Sequence, residues 1–216
     1  QKMNQTLTRK QFDILSILAE EKGTLSQRQL GEKSGHSLGT VNRVMQELTE
    51  LQYVTEGEIT GAGISALEPY RAKRAIFIAA GFGSRLVPIT FNTPKPLVRV
   101  HGQRIIDGLI DACLDAGINE IYIVRGYLAE QFDQLLYKYP MIRFLENPVY
   151  NEANNISSAM VARYMLSNAY VFEADLLINN PGIIKKYLYT SNFLGIKKDR
   201  SDEWCFEVKD GIITDE

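Results

Sequence analysis

Residues 75–97 read AIFIAAGFGSRLVPITFNTPKPL: an unbroken apolar run enters a glycine-spaced loop, which leads to a lysine held between two prolines. A short apolar run that stops at glycine fits a strand buried on both faces, the kind a parallel sheet requires. In Gly81-Phe82-Gly83-Ser84-Arg85 the glycines let backbone NH groups approach phosphate oxygens with no side chain in the way. Arg85 adds a permanent, forked charge suited to phosphate. Pro94-Lys95-Pro96 fixes a second cation on a stiff turn, and two cations beside a glycine loop suit a triphosphate. The loop is not a dinucleotide fingerprint, because Leu86 stands where a third glycine would be. It is not a Walker loop either, because no Gly-Lys-Ser/Thr follows.

Downstream, the pattern alternates. Helices are expected over 105–116, 129–137 and 155–166, and strands over 120–124 (EIYIV), 142–146 and 169–173 (AYVFE). Such alternation implies an α/β domain with a mainly parallel sheet, whose right-handed crossovers place a ligand at the carboxyl ends of the strands. The last of these strands delivers Asp175 to that end, with Glu173 two residues earlier on the same face.

Upstream the period is helical. Thr8 caps a helix carrying Phe12, Leu15, Ile17 and Leu18 and ending near Gly23, and Ser26 opens a short one around Leu30 that Gly35 closes. Ser37 opens a third, in which Leu38, Val41, Val44, Met45, Leu48 and Leu51 recur on one face. Two short β pieces follow, at 53–54 and 58–60. This order is that of a winged helix-turn-helix, and residues 5–68 resemble the winged-helix domains of bacterial transcription regulators. DNA binding would fall to the outward Ser37, Thr40, Asn42 and Arg43, with Gly39 and Gln46 beside them; the alternative is a module for dimerisation or for packing on its neighbour. Residues 61–74, with a helix expected over 64–68, Pro69 and a basic cluster at Arg71, Lys73 and Arg74, mark a boundary near residue 70.

Composition narrows the classes. The 216 residues carry 24 Lys plus Arg against 26 Asp plus Glu, 45% hydrophobic and 23% charged, as in an ordinary globular protein. Residues 1–70 hold 7 basic and 9 acidic groups, so any DNA binding must come from a local patch and not from an overall basic field. No apolar run approaches the ~18–20 residues that cross a bilayer and no signal-peptide stretch opens the chain, so no membrane role is expected and the cytoplasm is the default location. Cys113 and Cys205 cannot build a disulfide framework and are read as two buried, reduced thiols.

The whole string AAGxGSRLxPxTxxxPKPL behind a buried strand is similar to the signature of the sugar-phosphate and choline-phosphate nucleotidyltransferases, and the likeness runs through residues 74–216. It implies a Rossmann-like domain that passes a nucleoside monophosphate from an NTP to a phosphorylated acceptor, releases pyrophosphate and requires Mg²⁺. Ala79, Ala80, Gly81, Gly83, Ser84 and Arg85 would then bind nucleotide, with Arg85 on the β and γ phosphates, Lys95 at the α phosphate and Asp175 on the metal. The segments Gly126-Tyr127-Leu128-Ala129-Glu130 and Asn154-Asn155-Ile156-Ser157-Ser158 are similar to those of bacterial phosphocholine cytidylyltransferases, which adds Gly126, Tyr127, Glu130, Asn154 and Asn155 to the nucleotide site. In the choline enzymes a Glu-Trp pair lies near the cationic headgroup; here Trp204 with Glu203 or Asp202 would supply one wall, unless Trp204 is core.

The resemblance implies CMP transfer from CTP to phosphocholine, giving CDP-choline, with activated phosphocholine serving a bacterial cell-surface polymer. Two readings compete: a sugar-1-phosphate nucleotidyltransferase, and a transcription regulator that senses CTP or CDP-choline through this domain. CTP, phosphocholine and, through the winged helix, DNA are the expected partners, and the sequence leaves room for a homodimer. Enzymes of this kind carry roughly a further third of the domain, with a second acidic metal ligand, so residues 74–216 are expected to be C-terminally truncated and the fragment to turn over little.

Overall fold

The computed structural model describes residues 6–21, 23–153, 155–195, 200 and 205–215. Helix α1 (Arg9–Glu20) begins at Thr8, whose hydroxyl accepts from Gln11 N while the Gln11 side chain accepts from Thr8 N, a complete capping box. Ser26 does the same with Gln29 for α2 (Gln27–Ser34), and Ser37 caps α3 (Leu38–Glu50). Strands β1 (Val54–Thr55) and β2 (Glu58–Ile59) form the wing, turning at Glu56 and Gly57, both of positive φ. Helix α4 (Gly61–Leu67) starts earlier than the expected 64–68, because Thr60 caps it by accepting from Gly63 N. Phe12, Ile14, Leu15, Leu30, Val41, Val44, Leu48, Val54 and Leu67 close one core. Leu38, expected inward, is 53% exposed: it occupies the first turn of α3 and lines an open groove between α2 and α3.

The α/β half is organised by β3 (Arg74–Ile78). Two short antiparallel strands, β4 (Arg99–Val100) and β5 (Gln103–Arg104), precede α5 (Ile105–Asp115). Strand β6 (Glu120–Arg125), β7 (Arg143–Glu146), helix α6 (Asn155–Ala162) and β8 (Ala169–Glu173) follow. The sheet order is β7-β6-β3-β8 with every pairing parallel, so the chain steps to opposite sides of β3. The crevice outside that reversal is where ligands of doubly wound sheets bind. This is a Rossmann-like α/β arrangement preceded by a winged helix-turn-helix. A last hairpin, β9 (Glu207–Lys209) with β10 (Ile212–Asp215), stands apart from the sheet.

Side chains alternate across the sheet as the pleat requires. Ala75, Phe77, Ile121, Ile123 and Phe172 pack with Ile106, Leu109, Ile110 and Cys113 of α5, whereas Ile76, Tyr122 and Val124 meet Ala162 of α6. Two expected helices are altered. Residues 129–137 wind as a 3₁₀ turn, because Arg125 Nη1 takes the Ala129 carbonyl at 3.0 Å and the Asp133 carboxylate at 2.6 Å, removing an acceptor that an α-helix would use. The helix expected over 155–166 stops at Ala162 and tightens to 3₁₀ over Arg163–Met165, where Arg163 donates back to Met160 O.

The two thiols also differ from the sequence reading. Cys113 is buried, and burial pushes its pKa up to about 12, but Cys205 is exposed. Native protein at pH 7.5 is therefore expected to take up one equivalent of maleimide, the second reacting only on unfolding; two fast equivalents would contradict the packing of α5.

The halves share packing. Tyr187 is 5% exposed inside the first core, and residues 186–188 bond back to 70–72 through Ala72 N to Lys186 O and Leu188 N to Tyr70 O, both 2.9 Å. Tyr70 and Tyr189 stack at 5.5 Å with Phe12 tilted against both, and Leu7 is held by the two hydroxyls: its NH donates to Tyr70 and its carbonyl accepts from Tyr189.

Candidate active site

Backbone bonds align the carboxyl ends of β6, β3 and β8. Ala79 N donates to Val124 O, Tyr127 N to Ala80 O and Ala174 N to Ile78 O, all within 2.9–3.1 Å. Ala79 and Ala80 are themselves buried, so they offer a ligand backbone only. Beyond them Gly81 is exposed, with open space where a Cβ would project. Gly83 adopts a left-handed φ of 70°, and a Cβ there would lie 3.2 Å from Lys95 Cβ and 3.3 Å from Thr90 Cγ2. Glycine therefore sets how closely the lysine turn approaches the loop. Ser84 and Arg85 are exposed on the 3₁₀ turn that follows.

Lys95 and Asp175 meet across the strand reversal: Lys95 Nζ pairs with Asp175 Oδ2, both side chains about one third exposed. One arrives on the turn after the glycine loop and the other from the end of β8. Glu173 stands beside them, its carboxyl pushed above the usual range by desolvation and then by Asp175; a hydrogen bond from Asn155 Nδ2 at 2.7 Å and the Lys95 charge pull the other way. Asn155, the first residue of α6, is thus brought to the same end of the sheet. Among the described residues no set of three or more His, Cys, Asp or Glu groups forms a protein metal cage. A lone carboxylate beside a phosphate loop does fit Mg²⁺, which takes one or two carboxylates together with substrate phosphates.

Several residues serve the site through others. Tyr127 donates its hydroxyl to Phe91 O at 3.0 Å, and its ring meets Phe82 edge-on at 4.8 Å, so it braces the glycine loop. Gly126 lies under Tyr150: a Cβ would fall 2.7 Å from that ring. Glu130 is exposed on the 129–137 turn, next to Gln131, which donates to Asn92 O. Three further residues contribute, Thr90 from within the signature string and Asn147 and Tyr150 from outside any motif. Thr90, fully buried, donates to Gly83 O at 3.1 Å; Asn147 and Tyr150 hold the loop before α6. Asn154, Trp204, Glu203 and Asp202 lie outside the described residues.

The "Nucleotidyl transferase" family model matches residues 74–181, half of the chain and all of the geometry above. The chain belongs to the nucleotidyl transferase family. A "Winged helix-turn-helix DNA-binding" model matches residues 7–55 of this nucleotidyl transferase. It is 40% identical over 139 residues to the 2-aminoethylphosphonate cytidylyltransferase of Lancefieldella rimae, an alignment covering 63% of this chain and 56% of the relative. It is also 40% identical over 148 residues to the choline-phosphate cytidylyltransferase of Streptococcus pneumoniae, covering 65% and 63%. The solved CTP:phosphocholine cytidylyltransferase LicC of that species superposes with a TM-score of 0.50 at 41% identity, over 52% of this chain and 49% of that one. The chain thus spans less than two thirds of the curated relatives it matches.

On the winged helix, Asn42, Arg43 and Gln46 are exposed along α3 and Thr40 is half-buried, while Ser37 spends its hydroxyl on the cap. Arg43 donates to Glu47 at 3.1 Å, Arg28 to Glu32 at 3.3 Å and Arg9 to Asp13 at 2.9 Å. The wing carries Glu56 and Glu58. No helix among the described residues is long and apolar enough to cross a membrane.

Proposed function

We propose that this nucleotidyl transferase moves CMP from CTP to phosphocholine, giving CDP-choline and pyrophosphate. The observation that carries the reading is the Lys95–Asp175 pair at the strand reversal, over the open Gly81 loop. An acceptor phosphate oxygen is ionised at neutral pH and attacks the α phosphorus directly; the new P–O bond forms as pyrophosphate leaves with its electron pair, and no protein nucleophile is required. The protein's task is alignment and charge neutralisation. Lys95 meets charge at the α phosphate, Arg85 holds the departing phosphates, and Gly81 and Gly83 present backbone to them. Asp175 would hold Mg²⁺, which when bound neutralises charge on the phosphate oxygens.

The relatives support cytidine and differ in the acceptor, their names giving a phosphocholine, an aminoethylphosphonate and a phosphoglutamine, the first two each an anion with a cationic nitrogen. The full-length protein is expected to prefer CTP over UTP, and phosphocholine over aminoethylphosphonate, phosphoethanolamine and glucose-1-phosphate, by kcat/KM. Aminoethylphosphonate in first place would move the acceptor; UTP with the sugar phosphate would sink the reading.

A second role is favoured by Tyr187, which sits in the winged-helix core 12 residues after Asp175. Such packing supports a regulator reading, because it joins the winged helix to the chain that follows Asp175. DNA contact would run through α3, whose Asn42, Arg43 and Gln46 are exposed, because the wing is acidic. Binding to the protein's own promoter is then expected to show a shallow salt slope, about −2 to −3 in log K against log salt, and to be lost in Arg43→Ala. A slope near −8, or an unaffected Arg43→Ala, would contradict an α3-only contact.

A further inference from the structure

Asn147, just past the end of β7, is 2% exposed and uses its side-chain amide and its backbone NH. Its Nδ2 donates to Ser157 Oγ at 2.9 Å and Ser158 Oγ at 3.0 Å, its Oδ1 accepts from Val149 N at 3.1 Å, and its own NH donates to Arg125 O at 2.9 Å. Ser157 and Ser158 are buried in the first turn of α6, directly behind Asn155. A side-chain amide has two donor protons and two acceptor lone pairs. Here both protons are committed to one helix turn, and the oxygen and backbone NH tie that turn to the ends of β6 and β7.

Core packing of α6 is directional only in part, since one face of a short helix against a sheet can slide or rotate by a fraction of a turn. Paired hydrogen bonds from a buried amide remove that freedom. What they fix is the start of α6, and Asn155 there donates to Glu173, two residues before Asp175 on β8. The path from Asn147 to the Lys95–Asp175 pair therefore consists of hydrogen bonds and one strand end.

We propose that Asn147 is a positioning residue for the nucleotide side of the site: through Ser157 and Ser158 it sets where Asn155 stands beside Glu173. The inference rests on the transferase reading. It places Asn147 out of contact with substrate, so its loss is expected to appear in CTP binding more than in the chemical step.

In the full-length protein, Asn147→Ala is expected to raise the KM of CTP about tenfold, with the KM of the acceptor within about twofold and kcat within about threefold. Ser157→Ala/Ser158→Ala is expected to do the same, and the triple variant no more than either, because all three act through one contact. Multiplying effects, an unchanged KM for CTP, or a fall in kcat alone would overturn the proposal. Amide exchange reads the same contact without turnover: in Asn147→Ala, residues 155–159 are expected to exchange at least about tenfold faster while β3 amides keep their protection. Unchanged exchange at 155–159 overturns the proposal even if the wild-type protein is inert with both phosphocholine and aminoethylphosphonate, an inertness that would count against the transferase reading alone.

Discussion

Asp175→Asn is expected to lower kcat for nucleotidyl transfer by roughly 10²–10³-fold, the scale of losing one preorganised electrostatic group at a reacting centre. Lys95→Ala is expected to cost as much. The two side chains pair across the strand reversal, so they act as a unit and the double variant should lose little beyond either single one. Lys95→Arg should not restore turnover, because a planar fork presents its charge differently from a compact ammonium. Because both side chains are partly exposed, breaking the pair should leave the melting temperature nearly unchanged, surface pairs being worth about 0–1 kcal/mol. Steady-state kinetics with CTP on folded variants, checked by thermal denaturation, reads this directly. A Lys95→Ala enzyme retaining a third of its kcat would remove Lys95 from the chemistry.

The second large effect is on stability. Tyr187→Ala is expected to cost about 3–5 kcal/mol, the range for deleting a large buried aromatic side chain. For a chain of this size that corresponds to a melting shift on the order of 10 °C. Tyr137, 96% exposed, is the control, and Tyr137→Ala should change stability by less than about 0.5 kcal/mol. Since Tyr187 fills the winged-helix core from the far side of residue 70, amides of α1 and α3 should lose protection with it, although the substitution lies outside 5–68. A melting shift no larger than that of Tyr137→Ala would mean the halves are not packed through this residue.

What was legible in the sequence follows the range over which each signal acts. The caps at Thr8, Ser26 and Ser37 involve residues three apart, and all three form. Strands over Glu120–Arg125 and Ala169–Glu173 follow from their apolar runs, and the carboxyl ends of the sheet follow from alternation. Gly83 and Lys95 are read from one string because the string itself folds back to bring them together. Thr90 stands in that same string and donates to Gly83 within it, but carries no charge to mark it, whereas Asn147 and Tyr150 escaped because their partners sit on other elements, where spacing carries no information. The 3₁₀ form of 129–137 depends on Arg125, and the outward Leu38 on the open groove between α2 and α3. Tyr187 lies in a loop without period, so nothing local marks it as core of the preceding unit.

The central claim is that CTP is cleaved at the α phosphorus by an acceptor phosphate. Phosphorus NMR of the full-length protein with CTP, Mg²⁺ and phosphocholine tests it most directly. The account predicts that the α-phosphorus signal of CTP moves into a new diphosphate ester while pyrophosphate appears in equal amount, and that both stop when phosphocholine is left out. Release of CDP with inorganic phosphate, or CTP consumption at the same rate without acceptor, would contradict it.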